Sequence, residues 1–230
     1  MRNLLLLVPL ALLLVGCEQP VGSLGTDLGP LFPANADHYW QYTNFGRAER
    51  AYWVNEGVTD LDGEDASTFR IWVGTDIEVR DDYLADQEWW AVTVWFVDRA
   101  DGWYFMGWDA NPNGPSAGLG TNQFEAPGVP IATSSISVGL EVDSVAGGLD
   151  WTTTYVEQEA GPFEFNGQSY TDAWHVNLTS SAGNTPFEGD YWLKAGPGII
   201  QYDVVGYRPA TGEPWTHFHN DRTAVLFQGQ

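Results

Sequence analysis

Three short stretches of this 230-residue chain place metal-ligating atoms at regular spacing. In "DANPNG" (109–114), Asp109, Asn111 and Asn113 offer side-chain oxygens at alternate positions, and Gly114 permits a sharp turn. Hard oxygen ligands in that order open a calcium loop of the D-x-[DN]-x-[DN]-G kind. The pattern then stops, because the twelfth position is Gly120 rather than a bidentate glutamate. "NPNG" is also a strong turn sequence in its own right. "DLDGED" (60–65) gathers four acids around Gly63, which a hairpin tip explains without calcium. "THFHND" sets His217 and His219 on one strand face, with Asp221 two residues further on. Two imidazoles and a carboxylate suit zinc or a similar ion, with His175 or His38 as a third ligand. Surface histidines ahead of a turn are the plainer account.

Other chemistry finds little to work with. The single cysteine, Cys17, stands at the end of a greasy leader and leaves the rest of the chain without a thiol nucleophile. Glycosidase chemistry needs only two carboxylates, and 31 acidic residues supply such pairs by chance without marking one out. The expectation is a non-enzymatic protein with no cofactor beyond a calcium ion at the loop above.

The leader itself is informative. Met1-Arg2-Asn3 is followed by an apolar run from Leu4 to Val15, then Gly16 and Cys17. A positive start, a short apolar centre and a small residue make a secretory signal. As a helix the run rises about 18 Å, too short for the roughly 30 Å hydrocarbon core. "Leu14-Val15-Gly16-Cys17" resembles the bacterial lipobox. The resemblance implies removal of residues 1–16 and acylation of Cys17 by chains such as palmitate. Two or more chains anchor stably to a bilayer. Glu18, where an aspartate would favour the inner membrane, points to the outer membrane of a bacterial envelope.

The formal charge is −22, and loss of the leader removes Arg2 and no acid. Such a field repels nucleic acid and anionic headgroups. Yet 43% of residues are hydrophobic and 14% aromatic, which is a folding composition. With one cysteine, no disulfide can form within the chain.

The elements that must position these residues read as strands. Residues 17–31 hold the anchor and a Gly/Pro-rich tether reaching roughly 20 Å. From Phe32 to the end, short aromatic and β-branched runs alternate with Gly, Asp, Asn and Pro clusters. This predicts one domain, 32–230: an antiparallel all-β meander curled into a barrel or half-barrel, with few or no helices. In "EWWAVTVWFVDRADGWYFMGWDA", both faces of the first arm are apolar, so it is covered on both sides, and "DRADG" makes the turn. A second hairpin turns on Pro209–Gly212. Residues 76–88 have room for one or two short helices, and 111–130 read as a long loop.

Two segments carry a family resemblance: "FPANADHYWQY" (32–42) and "DYWLKAGPGIIQYDV" (190–204). Between them stand Pro130 to Gly139 and "FEFNGQSYTDAWHV" (163–176). Together they resemble secreted bacterial lipoproteins of unknown function with F-P-x(6)-W-x-Y-like and Y-W-x(3)-G-x-G-I-I-x-Y-like motifs. The resemblance implies an antiparallel barrel or half-barrel at the envelope and no catalytic residues. In "KAGPG", Gly196 and Gly198 are expected to serve a bend. The functional expectation is a binding or scaffolding role at the membrane surface. Two alternatives stand beside it: a half-barrel carrier for a small hydrophobic ligand, and an extracellular sugar-binding module or hydrolase. A large apolar cavity distinguishes the carrier. Exposed aromatics near paired acids distinguish the sugar reading, and a filled interior favours the first.

Overall fold

The most explicit hairpin expectation shows how this sequence makes a sheet. β4 (Val92–Arg99) and β5 (Gly102–Ala110) pair antiparallel and turn on Ala100 and Asp101. Alternation sends Val92, Val94 and Phe96 into the principal core. Trp95 and Val97 join Leu61, Ala66, Tyr104 and Met106 in a second cluster. The strand is thus covered on both faces, as its unbroken apolar run requires.

The computed structural model describes residues 29–32, 39–44, 50–74, 92–113, 117–158, 163–165, 168–171, 173–182, 185, 187–204 and 223–228. Ahead of β4 come β1 (Tyr39–Asn44), β2 (Arg50–Leu61) and β3 (Glu64–Gly74). After β5 come β6 (Thr121–Gln123), β7 (Val129–Thr133), β8 (Glu141–Ala146) and β9 (Leu149–Gln158). Two short strands, β10 (Phe163–Phe165) and β11 (Gln168–Tyr170), pair only with each other among the described residues. The rest are β12 (Trp174–Ser180), β13 (Gly189–Lys194), β14 (Gly198–Val204) and β15 (Thr223–Gln228). The described residues contain no α-helix, only a single 3-10 turn at Ala117–Leu119.

Thirteen of these strands form one antiparallel sheet in the order β6-β5-β4-β3-β2-β1-β15-β14-β13-β12-β9-β8, with β7 also on β5. The all-β expectation is met. Among the described residues no ladder closes the ring, which fits a curled half-barrel or meander. The two ends nevertheless touch. The Thr153 hydroxyl on β9 donates to the Pro130 carbonyl on β7 at 2.6 Å. Residues 139 and 140, between β7 and β8, exchange backbone hydrogen bonds with Tyr155.

The interior is aromatic. Phe105 meets Phe187 at 4.9 Å, Phe124 at 5.4 Å and Phe96 at 5.7 Å between ring centroids. Trp40, Trp53, Trp103, Trp151 and Trp174 are all essentially sealed from solvent. Tilted and edge-on pairs of this kind add about 0.5–1.5 kcal/mol each beyond the area they bury. Burial accounts for these tryptophans without any ligand.

Two details depart from the sequence reading. Residues 111–130 are not one long loop, because β6 and the start of β7 fall within them and share one edge of β5. Gly107 and Asp109 pair with Gln123 and Thr121, while Gly102 to Phe105 pair with β7. Their strand signals are short and interrupted by Pro and Gly, so only the waiting edge of β5 organises them. β14 does pair antiparallel with a later strand, but that strand is β15, through Gln201↔Ala224 and Tyr202↔Thr223. The turn expected at Pro209–Gly212 and the helices expected in 76–88 lie outside the described residues.

Candidate functional site

The residues just ahead of β1 form a strap that was not legible as structure. Leu31, counted with the tether by sequence, is buried in the domain beside Phe32, while Gly29 and Pro30 stay exposed and are held by their carbonyls. Three hydrogen bonds hold the strap. Trp103 Nε1 donates to the Gly29 carbonyl at 2.9 Å, and the Gly196 N–H to the Pro30 carbonyl at 3.0 Å. The Leu31 N–H donates to Asp98 Oδ2 at 3.2 Å. Burial pushes the Asp98 carboxyl up to about 6, against the Leu31 N–H, which pulls it down. Asp98 as a residue is exposed, so water screens part of that cost.

The two motifs behind the family resemblance meet at this strap. The Phe32 ring lies 5.4 Å from Trp40 and 4.4 Å from Phe69. Trp40 Nε1 donates to the Pro197 carbonyl at 2.7 Å, and the Tyr42 hydroxyl to the Ile199 carbonyl at 2.9 Å. Tyr42 and Tyr202 pack ring to ring at 4.8 Å. A Cβ on Gly198 would fall 2.2 Å from the Phe32 ring, and its φ of +83° is one that L residues rarely adopt. Phe32, Trp40 and Tyr42 therefore clasp the β13–β14 turn and the start of β14, the two hydrogen bonds each spanning 157 positions of sequence. The glycine bend expected of "KAGPG" is present, and it makes room for Phe32.

The calcium-like loop spends its oxygens locally. A carboxylate oxygen of Asp109, at the end of β5, accepts from the Thr121 hydroxyl on the facing strand. Asn111 is buried, and its Oδ1 accepts the Asn113 N–H at 3.0 Å, an Asx turn. Gly114 lies outside the described residues. At 60–65 the hairpin tip is a two-residue turn with Asp62 and Gly63 at φ +54° and +90°, and Asp60 Oδ1 accepts the Gly63 N–H. Glu64 is held by Arg99 through two hydrogen bonds of 2.8 and 2.5 Å, and that guanidinium also lies 4.3 Å over the Tyr104 ring. The hydrogen bond from Arg99, joined by its charge, holds the Glu64 carboxyl below its usual range against the penalty of burial. Among the described residues, no three His, Cys, Asp or Glu side chains are grouped to hold an ion. His217, His219, His38 and Cys17 lie outside the described residues.

His175, the third-ligand candidate, has other partners. Its Nε2 lies 2.8 Å from Asp190 Oδ1, which also accepts from Asn177, and its ring stacks on Trp192 at 4.3 Å. Its Nδ1 faces Glu157 Oε1 at 3.6 Å. The two carboxylates sit at opposite edges of the imidazole, so they cannot converge on one ion with it. The cluster ties β9, β12 and β13 together. Only strand register reveals it, since Asp190 is 15 residues away in sequence.

Two spaces lined by described residues bear on ligand binding. Inside the curl, a cavity of about 20 Å³ lies among Trp53, Phe96, Phe105, Ile131, Leu178 and Tyr191. Ligand sites of small molecules are typically 300–1,000 Å³, so side chains fill this interior. Outside, a polar groove of about 390 Å³ runs along the seam, between Gln123, Glu125 and Ala126 on one side and Val145 to Gly148 on the other.

Among the described residues these features make an antiparallel all-β fold whose sheet is not closed, which fits a curled half-barrel or meander, with an aromatic interior and a strap at one end. No protein-family model, curated protein or solved structure matches the chain.

Proposed function

We propose that the protein is a membrane-anchored lipoprotein of the bacterial envelope with a non-enzymatic binding or scaffolding role. In this reading acyl chains on Cys17 hold it to the bilayer, and the domain works through its outer surface. The observation that carries the second half is the filled interior. A cavity of about 20 Å³ has no room for an acyl chain or a sugar ring, so the reading as a carrier lacks its container. The anchor rests on the leader and Cys17, and the strap supports it. Residues 29–32 deliver the chain to one end of the curl, so a tether from Cys17 would leave the domain from that end.

The test has two arms. Cys17→Ser abolishes partition of the protein into the detergent phase and removes the mass of the acyl chains. Persistence of both in the variant overturns the anchor. Mass spectrometry after cross-linking of the native lipoprotein in membranes recovers a protein partner. Recovery of a stoichiometric lipid or sugar bound inside the domain overturns the scaffolding role.

A further inference from the structure

Four positions of the chain place an aspartate or asparagine directly ahead of a glycine: Asp62-Gly63, Asp101-Gly102, Asn113-Gly114 and Asn166-Gly167. Such a pair can rearrange without an enzyme. The glycine nitrogen attacks the side-chain carbonyl carbon ahead of it, and the absence of a Cβ leaves that approach open. From asparagine, a C–N bond forms, the bond to the amide nitrogen breaks, and ammonia leaves with the proton shed by the glycine nitrogen. Water then opens the succinimide ring at either carbonyl, giving aspartate or isoaspartate. From aspartate the same ring requires loss of water from a carboxylate, a far poorer electrophile at neutral pH.

The fold treats these pairs differently. At the β2–β3 turn the Gly63 N–H is given to Asp60 Oδ1 at 2.7 Å, so the attacking nitrogen is engaged. At the β4–β5 turn the Asp101 carboxylate accepts from the Tyr104 hydroxyl at 3.0 Å, which ties up the side chain. Gly102 is itself hemmed in, since a Cβ there would fall 2.2 Å from the Ala132 carbonyl oxygen on β7. The Asn113 side chain is under no such restraint. The residue is exposed, and its hydrogen bond among the described residues uses its main-chain N–H, given to Asn111 Oδ1 at 3.0 Å. The side-chain amide is left without a partner among the described residues. Gly114 lies outside the described residues and counts here only as a residue without a Cβ. Asn166-Gly167 lies outside them too.

We propose that Asn113, through its exposure in this fold, is a modification site, converted to aspartate and isoaspartate by attack of the Gly114 nitrogen, loss of ammonia and uptake of water. Each conversion adds a negative charge to a chain already at −22. As isoaspartate it also routes the main chain through the side-chain carbon, and so lengthens the connection from β5 to β6 by an atom. Neither change depends on the acyl anchor or on a binding partner.

The full chain, held in neutral detergent at mildly alkaline pH, is sampled over time, digested with pepsin and mapped by mass spectrometry. Enzymatic methylation of the free α-carboxyl tells isoaspartate from aspartate. The expected result is steady replacement of the Asn113 amide by a carboxyl, with isoaspartate among the products. Asn113→Gln, whose longer side chain closes such a ring far less readily, should abolish it. A carboxyl still forming in that peptide belongs to another residue and overturns the assignment. Asp62→Asn puts the same dipeptide at the 60–65 tip, where a φ of +54° suits asparagine. In the folded protein the amide at position 62 should convert at least tenfold more slowly than that at 113, whereas in urea the two rates should agree within twofold. Equal rates in the folded protein mean that the dipeptide decides without the fold, and overturn the proposal. So does an Asn113 amide that survives in the folded chain while it is lost in urea.

Discussion

Gly198→Ala tests the clasp most directly, because two separate costs fall on one added carbon. The first is backbone. At φ +83° an L residue gives up about 1–2 kcal/mol relative to glycine. The second is contact. The new Cβ would lie 2.2 Å from two carbons of the Phe32 ring, well inside van der Waals range. That ring is hemmed in by Trp40, Phe69 and Phe96 at centroid distances of 5.4, 4.4 and 5.2 Å, so it cannot step aside without disturbing the core. Overpacking of this kind adds about 1–3 kcal/mol. The variant should lose about 2–5 kcal/mol in all.

Gly196→Ala separates the two costs. Its φ is +88°, nearly the same, but no atom lies within 4 Å of its Cβ position, so only the backbone cost of about 1–2 kcal/mol applies. Phe32→Ala alone should cost about 3–5 kcal/mol as a large-to-small change in the core. In the double variant the methyl introduced at position 198 occupies space that the ring has left, so the two losses sum to less than their separate values. Urea unfolding of the four proteins, with a constant m-value, gives the coupling energy. Equal losses at 196 and 198, or strictly additive losses at 32 and 198, would refute the clasp as a packing contact.

Two further predictions follow from single interactions. Tyr42→Phe leaves the aromatic packing against Tyr202 intact but removes the hydrogen bond to the buried Ile199 carbonyl. It should lower stability by about 1–2 kcal/mol in urea unfolding, and a loss below about 0.3 kcal/mol would mean that the hydroxyl is not engaged. Glu64→Gln removes a carboxylate whose folded pKa is depressed, so wild type should exceed the variant in stability above the ordinary carboxylate range. That advantage fades as pH falls through the folded value. The pair is partly solvated, so the difference is about 1 kcal/mol at most. A difference that grows on acidification would contradict the assigned sign.

What the sequence discloses here is set by how local the information is. The 92–110 hairpin could be read because its alternation and its turn lie within one window, and the two-sided burial follows from apolar residues on both faces. The glycines of "KAGPG" could be read as a bend for the same reason. Residues 121–123 and 129–133 could not be read as strands, because they are organised by the free edge of β5 and not by their own pattern. The strap was hidden likewise, since "LGPLF" has the composition of a linker and Leu31 is buried only because a pocket is waiting for it. At the candidate sites the same rule separates success from failure. The hairpin tip at 60–65 turned out as its composition suggests, with its turn at Asp62-Gly63. The His175–Asp190 pair needed the β12–β13 register, which no local pattern supplies.

The clasp also answers a structural question raised by the cysteine count. A chain with one cysteine has no disulfide with which to tie an early strand to a late one, and the β1–β15 ladder makes that tie instead. The hydrogen bonds from Trp40 and Tyr42 to Pro197 and Ile199, each across 157 positions, reinforce it. Unlike a disulfide they constrain only the folded state, so they confer nothing on the unfolded chain and must form late, after both strands are in place. Weakening the clasp should therefore speed unfolding far more than it slows refolding. For the tethered domain proposed above, that rate would set its lifetime under load. The strap shares its contacts with the clasp through Phe32 and Gly196, and any pull along a tether reaches the fold at this point first.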